Sequence, residues 1–172
     1  MFSRFGLFLM LGAAWLTSPA WAQTCQPHIP ESTNLKQFQI NTNGTVFDKK
    51  SGLTWKQCVE GLEGSSCSQG NLVFLSWESA LQHAAASTFA GFDDWRLPNI
   101  KELMSLAEDQ CATPSIKTLV FPNTPADLHW SATPYANDSS VTWYADFDTG
   151  FANYRNSSRG NTYVVRLVRG EP

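Results

Sequence analysis

Phe92-Asp93-Asp94-Trp95-Arg96-Leu97-Pro98-Asn99-Ile100-Lys101-Glu102-Leu103 is the stretch on which the fold reading turns. Pro98 ends whatever precedes it. Asn99, with Glu102 three residues later, has the spacing of a capping box and starts a helix. Ile100, Leu103, Met104 and Ala107 then recur on one helical face. Just upstream, two carboxylates, an indole and a guanidinium gather in a pattern that suggests a site. A structural role accounts for them better. Acidic groups are favoured at the positive end of a helix dipole, and Trp95 can staple the chain as it approaches the helix. Asp94, Trp95 and Arg96 are therefore read as structural, with Arg96 or Arg166 expected to pair with an aspartate.

Working outward, Ser76 is a good N-cap for an earlier helix through Ala86, with Trp77, Ala80, Leu81 and Ala84 on one face. Phe38 to Trp55 reads as strand, turn, strand, the turn being Asp48-Lys49-Lys50-Ser51-Gly52. After Thr113 helix signals stop. Trp143, Ala145 and Phe147 alternate with Tyr144 and Asp146, so a strand runs here with two distinct faces. Asp148-Thr149-Gly150 turns it, Phe151 to Arg155 returns, Asn156 to Asn161 is a loop, and Thr162 to Arg169 closes as a strand. Arg166 would share a face of that strand with Val164 and Val168, partly buried and in need of a carboxylate partner. Two short helices followed by an antiparallel meander make an α+β domain.

Residues 1–22 carry Arg4, then twelve apolar residues from Phe5 to Leu16, then a small-x-small end at Ala20-Trp21-Ala22. That is the grammar of a cleaved secretory signal, and twelve apolar residues are too few for a membrane span of roughly 20. The chain divides into a signal (1–22), a polar tail (23–37) and one domain (38–172), read as periplasmic or secreted. No further segment is apolar enough to cross a membrane. Without Arg4 the chain has eleven basic and fifteen acidic residues, a formal charge of −4. This argues against general nucleic-acid binding. Cys25, Cys58, Cys67 and Cys111 form an even set, which in an exported chain reads as two disulfides with three possible connectivities. Cys58 and Cys67 bracket a glycine-containing loop and are paired with each other, leaving Cys25 for Cys111. A zinc site is disfavoured, because no CxxC pair occurs and the three His are scattered.

Asn43-Gly44-Thr45-Val46-Phe47-Asp48 with Ser51-Gly52-Leu53-Thr54-Trp55 and Cys58, the Phe92–Leu103 stretch, Phe121-Pro122-Asn123-Thr124, His129-Trp130-Ser131, and Tyr163-Val164-Val165-Arg166-Leu167-Val168-Arg169 occur in this order. Together they resemble the Lcl C-terminal domain family, named for a bacterial collagen-like adhesin, over about Phe38 to Arg169. The resemblance implies a bacterial protein whose fold is similar to C-type lectins and formylglycine-generating enzymes. It also implies work in adhesion, with sulfated polysaccharide as a ligand of the namesake. No Gly-X-Y collagen stalk is present, so the trimerisation a stalk imposes does not carry over.

Chemistry-bearing patterns are few. The calcium-binding loop and strand motifs of C-type lectins are missing, and no cysteine follows Cys111 to serve formylglycine-type catalysis. Asp146 and Asp148 read as a solvated hairpin end. No hydrolase, zinc-protease or phosphate-loop motif occurs. The chain is thus expected to be non-catalytic, with no cofactor and no metal. One patch stands out: Ala152 to Gly170 holds Arg155, Arg159, Arg166 and Arg169 and no acidic residue. The arginine fork suits sulfate and carboxylate. Tyr144, Tyr154, Arg155, Asn156 and Arg159 are the expected ligand-binding residues. The expected function is a binding or adhesion module for an anionic polysaccharide or an envelope or host protein. The alternative is a structural or assembly component of the envelope.

Overall fold

The computed structural model describes residues 23–170; the expected signal segment, residues 1–22, lies outside them. In chain order come β1 (Thr24–Cys25), β2 (Phe38–Ile40), β3 (Thr45–Asp48), β4 (Thr54–Lys56), β5 (Leu62–Glu63), β6 (Gln69–Gly70), β7 (Phe74–Ser76), α1 (Trp77–Ala85) and α2 (Ile100–Met104). Then follow β8 (Cys111–Ala112), β9 (Leu128–Tyr135), β10 (Asp138–Asp146), β11 (Phe151–Asn153), β12 (Thr162–Val164) and β13 (Val168–Arg169). The architecture is α+β with mostly antiparallel sheets.

A four-stranded sheet has the order β13-β4-β3-β2, and a five-stranded sheet has the order β11-β10-β9-β12-β7. Residues 162–169 do not form the single closing strand expected. Val164 ends β12 in one sheet, Val168 begins β13 in the other, and Val165, Arg166 and Leu167 cross between them fully buried. The carbonyls of Val165 and Leu167 stay satisfied in the crossing, since Glu60 N–H donates to Val165 O and Lys56 N–H to Leu167 O. The late meander is also rearranged. β12 pairs with β7 and, in parallel, with β9 at Val164 and His129, so it does not neighbour β11.

β10 separates two apolar clusters. Ala145 and Phe147 join Phe38, Val46, Trp55 and Phe121 on one side, while Tyr144 joins Ala80, Ala84, Trp95 and Trp130 on the other. Helix α1 lays its Ala80–Ala84 face on the second cluster, capped by Ser76, whose Oγ accepts from Ser79 N–H. Helix α2 has the capping box read from its sequence, with Asn99 and Glu102 bonded reciprocally, but it ends at Met104. Ala107 instead bridges to Ile116.

Both disulfides take the expected pairing, Cys25–Cys111 and Cys58–Cys67. The segment 23–37, read as a tail, is docked along the domain. β1 pairs with β8, and Gln23 Nε2 donates to the carbonyls of Pro114 and Ile116 at 2.6 Å each. The Glu108 carboxylate, fully buried, receives Thr33 Oγ1 at 2.7 Å, Ser32 and Thr33 N–H, and Lys117 Nζ at 3.0 Å.

The structural residues are placed as follows. Trp95 is buried and its Nε1 donates to Phe89 O at 2.9 Å. Asp94 meets Arg169 at 2.6 Å, and Arg96 forms a fork on Glu102 with both contacts at 2.8 Å. Arg96 thus pairs with a glutamate inside the capping box rather than with an aspartate. Arg166 corrects the expectation further: it is 0% exposed and has no carboxylate partner among the described residues. Its Nη1 donates to Lys56 O at 3.0 Å and to Gln57 O, and its Nη2 donates to Thr124 Oγ1 at 2.6 Å. The guanidinium lies over the Phe121 ring, 4.8 Å from its centroid. Carbonyl dipoles and a ring face do the work assigned to a carboxylate.

Candidate functional site

The far ends of β9, β10 and β11 bring three aromatics together. Tyr135 closes β9, Trp143 lies in β10, and Tyr154 follows β11. Tyr135 and Tyr154 stack with centroids 4.1 Å apart and planes 8° from parallel, and Trp143 meets Tyr154 edge-on at 4.8 Å. All three are partly exposed. Mutual packing fixes their rotamers, so a ligand meets a surface that is already ordered, at little entropic cost.

The following loop is stitched to the sheet. Ser157 Oγ, buried, donates to Tyr154 O and Thr142 O; Asn161 Nδ2 donates to Asn156 O at 2.6 Å, and Tyr163 OH to the same oxygen at 3.3 Å. Asn156 sits at φ 59, the left-handed region that asparagine tolerates, and this turns the chain. Arg155 and Asn156 are exposed beside Tyr154. Arg159 lies over the Trp77 ring, its guanidinium carbon 4.0 Å from the centroid, with Nε at 3.4 Å from Thr142 Oγ1. Asp138 is nearby, and two hydrogen bonds from Ser140 together with the Arg159 charge hold its carboxyl below the usual range.

Of the five residues expected to bind ligand, Tyr154, Arg155, Asn156 and Arg159 reach the surface on one loop. Tyr144 does not. It is 8% exposed, its hydroxyl donates to Arg155 O at 3.2 Å, and burial raises its pKa. It therefore positions the loop. The local excess of four arginines does not survive as a surface patch. Arg166 is buried, Arg169 is paired with Asp94 and lies on Phe92 at 3.8 Å, and Arg155 and Arg159 remain. Tyr135 and Trp143 were not among the residues expected from sequence, because no strand was read over β9 and Trp143 was placed on the strand face opposite Tyr144, with Ala145 and Phe147.

A second concavity, about 660 Å³, is lined by Ile40, Asn41, Gly44, Lys56, Leu62 and Phe89 among others. Gly44 at φ +79 lets the Phe89 ring lie against the turn, where a Cβ would meet it at 3.0 Å. Lys56 Nζ is 2.9 Å from Glu60 and 4.7 Å from the Phe89 centroid, and Glu60 also meets His83 at 2.7 Å. Among the described residues no group of three acidic, His or Cys side chains is arranged to hold a metal, and no helix is long and apolar enough to cross a membrane.

The sequence model of the Lcl C-terminal domain matches residues 44–169, most of the chain, which takes in β3 to β13 and the aromatic cluster. The chain belongs to the Lcl C-terminal domain family. Within this Lcl C-terminal domain the match begins at Gly44, so the docked N-terminal segment with Cys25 precedes it. No curated protein matches the sequence. Family membership and the two disulfides fit an extracytoplasmic domain.

Proposed function

We propose that this Lcl C-terminal domain is an exported, non-catalytic recognition module that takes a glycan chain on Tyr135, Trp143 and Tyr154. Arg155, Asn156 and Arg159 supply contacts to sulfate or carboxylate groups. On this proposal the α+β arrangement is a variant of the C-type-lectin-like fold. The observation that carries it is the rigid, partly exposed aromatic cluster beside a stitched loop bearing two arginines. Tyr and Trp give a sugar ring an apolar face with a polar tip, and a guanidinium donates two parallel hydrogen bonds to an oxyanion. Trp77 packs under the Arg159 guanidinium, so less freedom is lost when it binds.

Retention on a heparin-type column tests the reading. Wild type is expected to bind at low salt and elute as salt rises, since exposed charges are screened within roughly 8–10 Å at physiological ionic strength. Tyr154→Ala and the double change Arg155→Ala with Arg159→Ala are each expected to lose retention without a change in fold. Passage of wild type straight through, or equal retention of both variants, overturns it.

A further inference from the structure

Two strand edges of this molecule are complementary to each other. β11 is an edge of the five-stranded sheet and carries Phe151, 71% exposed, in register opposite Asp146. Asp146 and Asp148 form the turn before it, and Asp127 lies alongside, its carbonyl accepting from Phe147 N–H. None of these three carboxylates joins an ion pair among the described residues.

β2 is an edge of the four-stranded sheet. In its ladder with β3, Asn41 N–H bonds Thr45 O and Lys49 N–H bonds Gln37 O. The alternation of an antiparallel ladder therefore turns the main-chain groups of Phe38 and Ile40 outward. Phe38 N–H is taken by Leu35 O, which leaves the edge open at Ile40, itself 51% exposed. Lys36, Lys49 and Lys50 stand at the start of this edge, with Lys49 Nζ on Lys36 O at 3.1 Å, and none joins an ion pair among the described residues. At its other end opens the 660 Å³ groove floored by Phe89 and walled by Leu62. From Gln37 to Ile40 the chain rises about 10 Å, so lysines and groove fall within one short contact.

We propose that the groove beside β2 takes Phe151 of a second copy of this chain, with the Asp146–Asp148 turn of that copy against Lys36, Lys49 and Lys50. The acidic turn with an exposed ring and the basic edge with an apolar-floored groove occur on every copy. The contact is therefore head-to-tail, and it propagates to a closed ring or an open chain according to the rotation between copies. A contact made by one aromatic ring and a few exposed charges is expected to be weak, with Kd on the order of 100 μM.

Sedimentation equilibrium of the purified, disulfide-intact protein from about 10 μM to 1 mM, around that Kd, tests this. At low salt the average mass is expected to climb with concentration, and added salt should reverse the climb. Phe151→Ser and Ile40→Asp alter exposed side chains, so each should weaken association at least about tenfold with an unchanged melting temperature. Mixing the two variants leaves one intact acidic edge facing one intact groove. A 1:1 complex and nothing larger is then expected. A wild type that stays monomeric across the range, a Phe151→Ser protein that associates like wild type, or a mixture no better than either variant alone would each overturn the proposal. The last result would mean that the two halves bind something other than one another.

Discussion

Arg166 and His129 are both fully buried, and both keep one nitrogen without a partner among the described residues, Nε and Nε2 respectively. Burial pulls the Arg166 pKa down to about 9, offset in part by the Glu60 charge, so it stays cationic at neutral pH. Arg166→Ala would strand the carbonyls of Lys56 and Gln57 and open a cavity over Phe121. A loss of about 3–5 kcal/mol in denaturant unfolding is expected, and a change under 1 kcal/mol would contradict the packing described. His129 donates from Nδ1 to Asp127 O at 2.9 Å, and burial with the Arg166 charge lowers its pKa to about 3. The unfolded chain, with histidine near 6.5, binds the extra proton first. His129 therefore subtracts stability as pH falls from about 6.5 towards 3, by up to about 1.4 kcal/mol per unit. Urea melts of wild type and His129→Leu should diverge in slope across that window; parallel pH profiles would show that the histidine is not held neutral.

At the scale of elements, the N-terminal segment shows how a stretch without periodicity becomes ordered. It has no apolar stripe to announce it, yet Cys25–Cys111 and the buried Glu108 carboxylate fix it along the domain. Despite the cost of burial, hydrogen bonds from Thr33, Ser32 and Gln110 and the Lys117 contact hold the Glu108 pKa at about 2. That support is complete above the unfolded value near 4.5 and is lost as pH falls from there to about 2. Removing the Cys25–Cys111 bridge, which closes 86 residues, should cost about 4–5 kcal/mol against about 2–3 for Cys58–Cys67, which closes 9. Paired Cys→Ser variants compared by thermal melts check the order; a larger loss at Cys58–Cys67 would show that Glu108 and the β1–β8 pairing hold the segment unaided. The capping box at Asn99–Glu102, the Ser76 cap and the β3–β4 hairpin were legible because each is a local rule written in a few adjacent residues. The 165–167 crossing was not, since a buried crossover and a buried strand both present valine and leucine around Arg166.

For the molecule as a whole, the sequence singled out the loop after β11 by its charge, and the structure changes what that loop presents. Four arginines between 152 and 170 suggested a basic patch, and burial of Arg166 with pairing of Arg169 reduces it to Arg155 and Arg159. What remains is an aromatic surface, assembled from β9, β10 and the segment after β11, whose members are distant in sequence and met only through sheet pairing. Strand register therefore decided the candidate site, and register is what composition does not report. The five tryptophans of the described chain offer a direct readout. Trp130, Trp95 and Trp77 give their Nε1 protons to the carbonyls of Leu75, Phe89 and Ser131, and Trp55 is fully buried; the rings of Trp143 and Trp77 are the two that lie beside the proposed ligand surface, packed on Tyr154 and Arg159. The decisive measurement is an NMR titration of the indole N–H signals with a size-defined sulfated oligosaccharide at low salt. The recognition reading expects progressive shifts at Trp143 and Trp77, saturating in the micromolar to millimolar range, with Trp55, Trp95 and Trp130 unmoved. Unmoved Trp143 and Trp77 signals at millimolar oligosaccharide would contradict it.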